Sequence, residues 1–363
     1  MGEGDFRFVL QRSLTINQPT PSSGLSATFS PWPGGEGTIA TIAAEGIIPD
    51  RVQYMYDIIG DIHGHAGELV QLLEALDYRE INGVYRHPDR KAVFCGDFID
   101  RGPRIRDVLS ICRSMCENNV AMAVMGNHEL NALAFHTPNN AKPGDFLRRQ
   151  TPKNIKQHSA TLNQLSASEL NDALAWFRTL PVALDAGSFR VVHACWDAGN
   201  LEELRLASQQ FGAMTEEFLH HATRQDDPVY EAIERVLKGP EMDLPHGILL
   251  TDKEGNRRQR ARIRWFDPVG DFRCGKYCLP PQSLEVLTSV EIPKSVKPAE
   301  YPENAPPVFF GHYWLPAETP PSPLRSNVAC LDYSVAKNGL LCAYRFNGEA
   351  RLSPEGFVTV KAT

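Results

Sequence analysis

Three times within about 80 residues an apolar run stops at a glycine, a short polar loop follows, and a helical pattern begins. YMYDIIG ends at Gly60 and passes through Asp61 and His63 into a stretch where Leu69, Leu72, Leu73 and Leu76 keep the i, i+3, i+4, i+7 spacing of one helix face. KAVFCG ends at Gly96 and passes through FIDRGPR into a stretch whose Ile105, Val108, Leu109, Cys112, Met115 and Cys116 share a face. VAMAVMG ends at Gly126, and Asn127, His128 and Glu129 follow. Strands alternating with helices predict an α/β core with parallel neighbours. Such sheets bind ligands at the carboxyl ends of their strands, where all three polar loops fall.

The chain has 363 residues, enough for one large domain or two ordinary ones. Residues 1–50 are rich in Gly, Pro, Ser and Thr and read as a weakly ordered extension, with FRFVL and TIATIA as possible edge strands. Residues 51–363 read as the folded domain. Within it LPVALDAGSFRVVHACW reads as two strands around a turn at 185–188, and residues 200–240 as helical. The loop-rich part that follows carries the basic stretch KEGNRRQRARIRW, and residues 200–305 are expected to form a cap or insertion beside the site. PVFFGHYW, VACLDYSV and LLCAYRF predict further strands, the last two joined at Asn338-Gly339, and hence a second sheet packed on the first.

Composition narrows the function classes. The net charge of −7 argues against nucleic acid as the partner. No run of 18 apolar residues predicts a membrane span. The opening Met-Gly-Glu-Gly-Asp lacks the basic and apolar regions of a signal peptide, so the expected location is the cytoplasm. Among eight cysteines there is no Cys-x-x-Cys pair, and Cys274 and Cys278 are expected to be ordinary thiols.

The chemistry sits at the strand ends: Asp61, His63, Asp97, Asp100, Arg101, Asn127, His128, His193 and His312. Carboxylate, imidazole and amide donors together suit a pair of divalent transition metals and need no thiolate. Asp97, midway in the order, is placed to bridge two ions ~3.5–4 Å apart. One Asp-x-His pair would mean little. Several such groups at consecutive strand ends resist a packing explanation, because each buried charge needs a partner.

GDIHG (60–64), GDFIDRG (96–102), GNHE (126–129), VVH (191–193) and GH (311–312) together resemble the calcineurin-like metallophosphoesterases. The resemblance is greatest to the branch of serine/threonine protein phosphatases and bacterial diadenosine tetraphosphatases. It implies a two-layer mixed β-sandwich flanked by helices and two bound divalent metals, Mn first, with Fe, Zn, Co or Ni also compatible. Asp61, His63 and Asp97 would bind the first metal, and Asp97, Asn127, His193 and His312 the second. His128 would be the general acid, oriented by Asp100. Arg101 would hold phosphate oxygens and Asn127 would also face substrate. The family commonly carries another phosphate-binding arginine before its last metal histidine. Arg264 is the first candidate, Arg262 the second, and a solvated charged loop the alternative. Tyr313 and Trp314, directly after His312, are candidates for stacking a nucleoside or lining a hydrophobic rim, with core packing as the alternative. Glu129 is expected to cap a helix, and His65 to be a polar loop residue.

These assignments imply a metal-dependent phosphoesterase using water as nucleophile. The expected substrate is a phosphomonoester on a small molecule, nucleotide or phosphoprotein; the alternative is a dinucleoside polyphosphate. A non-catalytic scaffold and a nuclease are weaker readings. A basic, aromatic cleft would favour the dinucleoside polyphosphate; a shallow open groove would favour a phosphoprotein.

Overall fold

The computed structural model describes the backbone of residues 29–32 and 37–40, and residues 55–251 and 257–362 in full. Most of the expected 1–50 extension, FRFVL included, lies outside the described residues, as does the 252–256 part of the basic stretch. Phe29–Trp32 and Gly37–Ala40 pair antiparallel.

The core strands and helices run β1 (Met55–Ile59), α1 (Ala66–Ala75), β2 (Arg90–Phe94), α2 (Ile105–Glu117), β3 (Ala121–Ala123), α3 (Asn127–His136), α4 (Pro152–Gln164), α5 (Ala167–Phe177), β4 (Ala183–Asp185), β5 (Arg190–Val192), α6 (Ala198–Phe211), α7 (Glu216–Thr223), α8 (Pro228–Lys238), β6 (Glu241–Asp243), β7 (Arg260–Arg262), β8 (Val308–Phe310), β9 (Val328–Cys330), β10 (Asp332–Tyr333), β11 (Leu340–Phe346) and β12 (Phe357–Lys361). β1, β2 and β3 are parallel neighbours, as the repeated strand–loop–helix pattern predicts. β11 continues that sheet antiparallel to β1 and pairs in turn with β10 and β12. In the second sheet β8 lies parallel between β5 and β9, and β4 pairs antiparallel with β5.

The sheets pack face to face through aromatic rings. Phe189 meets Tyr56 and Phe346 at ring separations of 4.8 and 5.3 Å, and Phe309 meets Tyr344 at 5.1 Å. Rings at such separations interlock edge and face and dominate the apolar area a sandwich buries. Helices flank this body. α1 buries Leu69, Leu72 and Leu73, and α2 buries Ile105, Val108, Leu109, Cys112 and Met115, the faces their spacing predicts. The fold is a two-layer mixed β-sandwich flanked by helices. At the end of β1 away from the polar loops, buried Arg90 donates to Asp57 at 2.9 Å and to the carbonyls of Tyr56 and Phe346, tying three strands together.

VACLDYSV differs from its reading as one strand. It divides at Leu331, whose N–H goes to Phe310 O in the second sheet, while Asp332–Tyr333 pairs with β11 in the first. A continuous apolar run carries no mark of such a crossing, because both faces are buried either way. The antiparallel return at Asn338 is made by β10 and β11 around a short 3-10 turn.

Residues 198–238 join the main core through Leu201, Leu204, Phe218, Leu219, Ile233 and Val236. Residues 242–287 have a small core of their own: Met242, Leu244, Ala261, Ile263, Cys274, Tyr277, Cys278 and Leu287. β6 and β7 form an antiparallel ribbon within it. All eight cysteines are free thiols.

Candidate metal centre

The carboxyl ends of five strands converge. β1 leads to Asp61 and His63, β2 to Asp97, Asp100 and Arg101, β3 to Asn127 and His128 at the start of α3, β5 to His193, and β8 to His312. Asp97 lies at the middle. Its Oδ2 is 3.5 Å from His63 Nε2, 3.4 Å from His193 Nε2 and 3.9 Å from His128 Nε2. Two donor sets share it: His63, Asp97 and His128, and Asp97, His193 and His312, with donor atoms in each set within 4.8 Å of one another. Asn127 Oδ1 lies 3.1 Å from His193 Nε2, and Asp61 Oδ2 accepts the His312 N–H at 3.0 Å.

The loops that hold these groups are strained. His63, Asp97, Asp100, Arg101, His312 and Trp314 all have positive φ, between 48° and 71°. Non-glycine residues there cost of order 1–3 kcal/mol each and persist where surrounding structure dictates them. Glu129 is one such determinant. Fully buried, it accepts the N–H groups of Gly126, Asp97 and Phe98 at 2.9–3.0 Å, so it ties the second and third loops together as well as capping α3. Close packing is another. A Cβ at Gly311 would stand 1.8 Å from Asp61 Oδ1. Gly311→Ala is therefore expected to displace Asp61 and lower metal content and turnover while the protein stays folded. Metal analysis beside a melting curve checks this, and unchanged metal content would sink it.

The donors fit a cation. Asp61 Oδ1, His63 Nε2 and His312 Nε2 are buried and have no hydrogen-bond partner among the described residues. Buried polar atoms are otherwise almost always paired, so three converging exceptions need a ligand. His63 Nδ1–H donates to Ile99 O and His193 Nδ1–H to Cys95 O, which turns each Nε2 toward the cluster. Burial pushes His63 down to about 3 and His312 well below the usual range, so both imidazoles are neutral, as metal ligands must be. Burial, with Asp332 nearby, pushes Asp61 well up. Burial also opposes charge on His193, yet Asp97 beside it raises it to about 10. The carboxylates thus hold positive charge at this spot, which divalent ions would supply.

Beside the cluster, Asp100 stands between two histidines. Its Oδ2 accepts His128 Nδ1–H at 2.6 Å, and its Oδ1 accepts His158 Nδ1–H at 2.8 Å and Thr161 Oγ1–H at 2.5 Å. Burial works against its charge, but the two histidine bonds hold Asp100 well below the usual carboxylate range. Burial likewise opposes charge on His128, and Asp97 and Asp100 overcome it, raising the imidazole. His158 and Thr161 thus fix the direction of the Asp100 carboxylate. His158→Ala is expected to cost about tenfold in turnover with metal content kept, and His158→Asn, which retains a donor, to recover most of it. Equal losses in both variants would argue against positioning.

A cavity of about 660 Å³ opens from Asp97, Asn127 and His128. Arg101 lines it, its guanidinium 4.5 Å over the ring of Trp314. Arg258, Arg260 and Arg262 line it from the 241–296 segment. Arg264 does not. The chain turns tightly at 263–265, with Trp265 N–H on Ile263 O, and directs Arg264 to Asp267 at 2.7 Å and against the Phe266 ring. Of the two candidates, Arg262 is the one that lines the cavity, donating to His312 O at 2.7 Å. Tyr313 also needs correction as a stacking residue. It borders the cavity but is fully buried between Phe310 and His312, while Trp314 is the partly exposed aromatic there. Asp332 and His158 are site residues that sequence reasoning missed. Asp332 Oδ2 accepts the Trp314 N–H at 2.7 Å. A lone acid inside the apolar run VACLDYS was the one available signal.

The sequence profile of the calcineurin-like phosphoesterases matches residues 56–238, half of the chain. The chain belongs to the calcineurin-like phosphoesterase family. Curated relatives include a bis(5'-nucleosyl)-tetraphosphatase (asymmetrical) of Halalkalibacterium halodurans, 35% identical over 126 residues, which are 34% of this chain and 48% of that protein. The Bacillus subtilis counterpart is 42% identical over 74 residues, 20% of this chain and 30% of that protein. The match thus spans half or less of these relatives' length. Among solved structures, a putative diadenosine tetraphosphatase has a TM-score of 0.41 at 18% identity, covering 86% of this chain and 96% of that one. A protein serine/threonine phosphatase from Saccharomyces cerevisiae has a TM-score of 0.43 at 12% identity, covering 85% and 80%. Among the described residues no helix is long and apolar enough to cross a membrane.

Proposed function

We propose that this calcineurin-like phosphoesterase is a two-metal hydrolase whose substrate carries a chain of phosphates, a dinucleoside polyphosphate such as diadenosine tetraphosphate being the leading candidate. The observation that carries this is the cationic wall: Arg258, Arg260 and Arg262 share one cavity with Asp97, His128 and Arg101. Arg260 is partly offset by Glu241 and Asp243. Arg262 has no carboxylate within pairing distance among the described residues, so its charge is available to an anion. A phosphomonoester would fit the same donors but would leave that wall without a role. The tetraphosphatase relatives support the same reading.

The residues divide the work. Asp61, His63, Asp97, Asn127, His193 and His312 would hold the ions, whose chemistry is to neutralise phosphoryl charge and activate a water. Oxygen and imidazole donors without thiolate suit Mn²⁺ well. Arg101, steadied on Trp314, offers a planar fork to two phosphate oxygens. Asp100 beside His128 favours the protonated imidazole, which is placed to give its proton to the departing oxygen. Residues 241–296, with their own core, form the cap that brings the arginines over the site.

The test is one panel. Protein stripped by a chelator and reloaded with Mn²⁺ is offered a chromogenic phosphomonoester, a phosphopeptide and diadenosine tetraphosphate. Activity should vanish on stripping and return with Mn²⁺, and kcat/KM should be highest for the dinucleotide. A clear preference for the phosphopeptide would overturn the proposal.

A further inference from the structure

A second group of cations lines the same cavity from the other elements around it. Arg148 lies in the connection between α3 and α4, and Lys153 in the first turn of α4. Arg148 Nη1 donates to Asn131 Oδ1 at 2.7 Å, and its Nη2 donates to Asn154 Oδ1 at 3.2 Å and Gln157 Oε1 at 2.9 Å. Among the described residues neither Arg148 nor Lys153 has a carboxylate within ion-pair distance. Amide oxygens fix the guanidinium's direction without cancelling its charge. Three bonds out of five N–H donors leave two for a ligand.

Local rules argue against a purely structural role. Burial lowers Arg148 from its ordinary range, so the site carries a half-buried cation at a cost. Lys153 stands at the positive end of a 13-residue helix whose first turn holds no acid. A cation there is disfavoured by the helix dipole. Both residues break a local preference at the edge of one cavity, and a bound anion would satisfy both. Asn131, which holds Arg148, lies one turn along α3 from Asn127 and His128, so α3 links the group to the metal-binding loop.

We propose that Arg148 and Lys153 form a separate anion subsite that takes the phosphates of a polyphosphate chain beyond the one undergoing reaction. This rests on the polyphosphate reading above and extends it to a length requirement. The subsite recognises phosphate oxygens, with Arg148 as the fork and Lys153 as a point charge.

Calorimetric titration tests this at equilibrium. Mn²⁺-loaded protein, at fixed free Mn²⁺, is titrated with orthophosphate and with a non-hydrolysable methylene-bridged triphosphate. The wild type should bind the triphosphate at least about tenfold more tightly than orthophosphate, the worth of one charge-assisted contact. Arg148→Ala should lower that ratio severalfold, with the arginines of the opposite wall keeping the remainder. Lys153→Gln, on an exposed position that folding does not need, should reduce it severalfold. A wild-type ratio near one overturns the subsite, as does an undiminished ratio in both variants with native melting curves. If the ratio behaves as expected but no dinucleoside polyphosphate is cleaved, the subsite stands and the substrate reading falls.

Discussion

Asp97→Asn is expected to strip metal from both halves of the centre and to lower turnover on the order of a thousandfold or more. The size follows from position. Both donor sets include Asp97, and its Oδ2 is within 4 Å of three imidazole Nε2 atoms. Losing one preorganised charge-stabilising group commonly costs a hundred- to a thousandfold, and this residue serves two ions at once. Asparagine is the informative replacement. It keeps the oxygen that accepts the His128 N–H at 3.0 Å and fits the space beside Gly126, where even a Cβ would stand 2.2 Å from Asp97 Oδ1. The fold should survive, while the negative charge goes. Metal content per chain, measured by elemental analysis after dialysis, checks the point directly. Asn127→Ala is the companion, because Asn127 Oδ1 lies beside His193, on the side of the second donor set. Two ions per chain in Asp97→Asn would show that the residue does not bridge.

How much of this was legible beforehand follows from where each signal lives. Asp61, His63, Asp97, Asn127, His193 and His312 each follow an apolar run by one to four residues, so strand, loop and polar group are written side by side. Parallel pairing of β1, β2 and β3 follows from the same pattern. Residues that act through tertiary contact left no such mark. His158 lies 58 positions from Asp100 and belongs to no motif, and Arg148 is fixed by amides from α3 and α4. The choice between Arg262 and Arg264 depended on one tight turn at 263–265, which strand alternation does not encode. Strand order failed at Leu331 for a related reason. A run buried on both faces reads the same whether it stays in one sheet or crosses to the next.

His128→Ala separates acid catalysis from metal binding, and the expected signature is a loss that depends on the leaving group. The imidazole is held by Asp100 at 2.6 Å on Nδ1, and its other nitrogen faces the cavity 3.9 Å from Asp97. Two carboxylates raise it against burial, which favours the protonated form an acid needs. A positioned acid contributes typically a hundred- to ten-thousandfold when the departing oxygen is strongly basic. An oxygen that leaves readily as an anion needs little of that help. Across a series of aryl phosphates, His128→Ala should therefore lose about a hundredfold or more on phenyl phosphate and far less on dinitrophenyl phosphate. The dependence of log kcat on leaving-group acidity should steepen. Metal content should change little, because Asp61, His63, Asn127, His193 and His312 keep their donors. A uniform loss across the series, together with lost metal, would instead make His128 a ligand of the set it forms with His63 and Asp97. The two outcomes assign the same side chain to different chemistry.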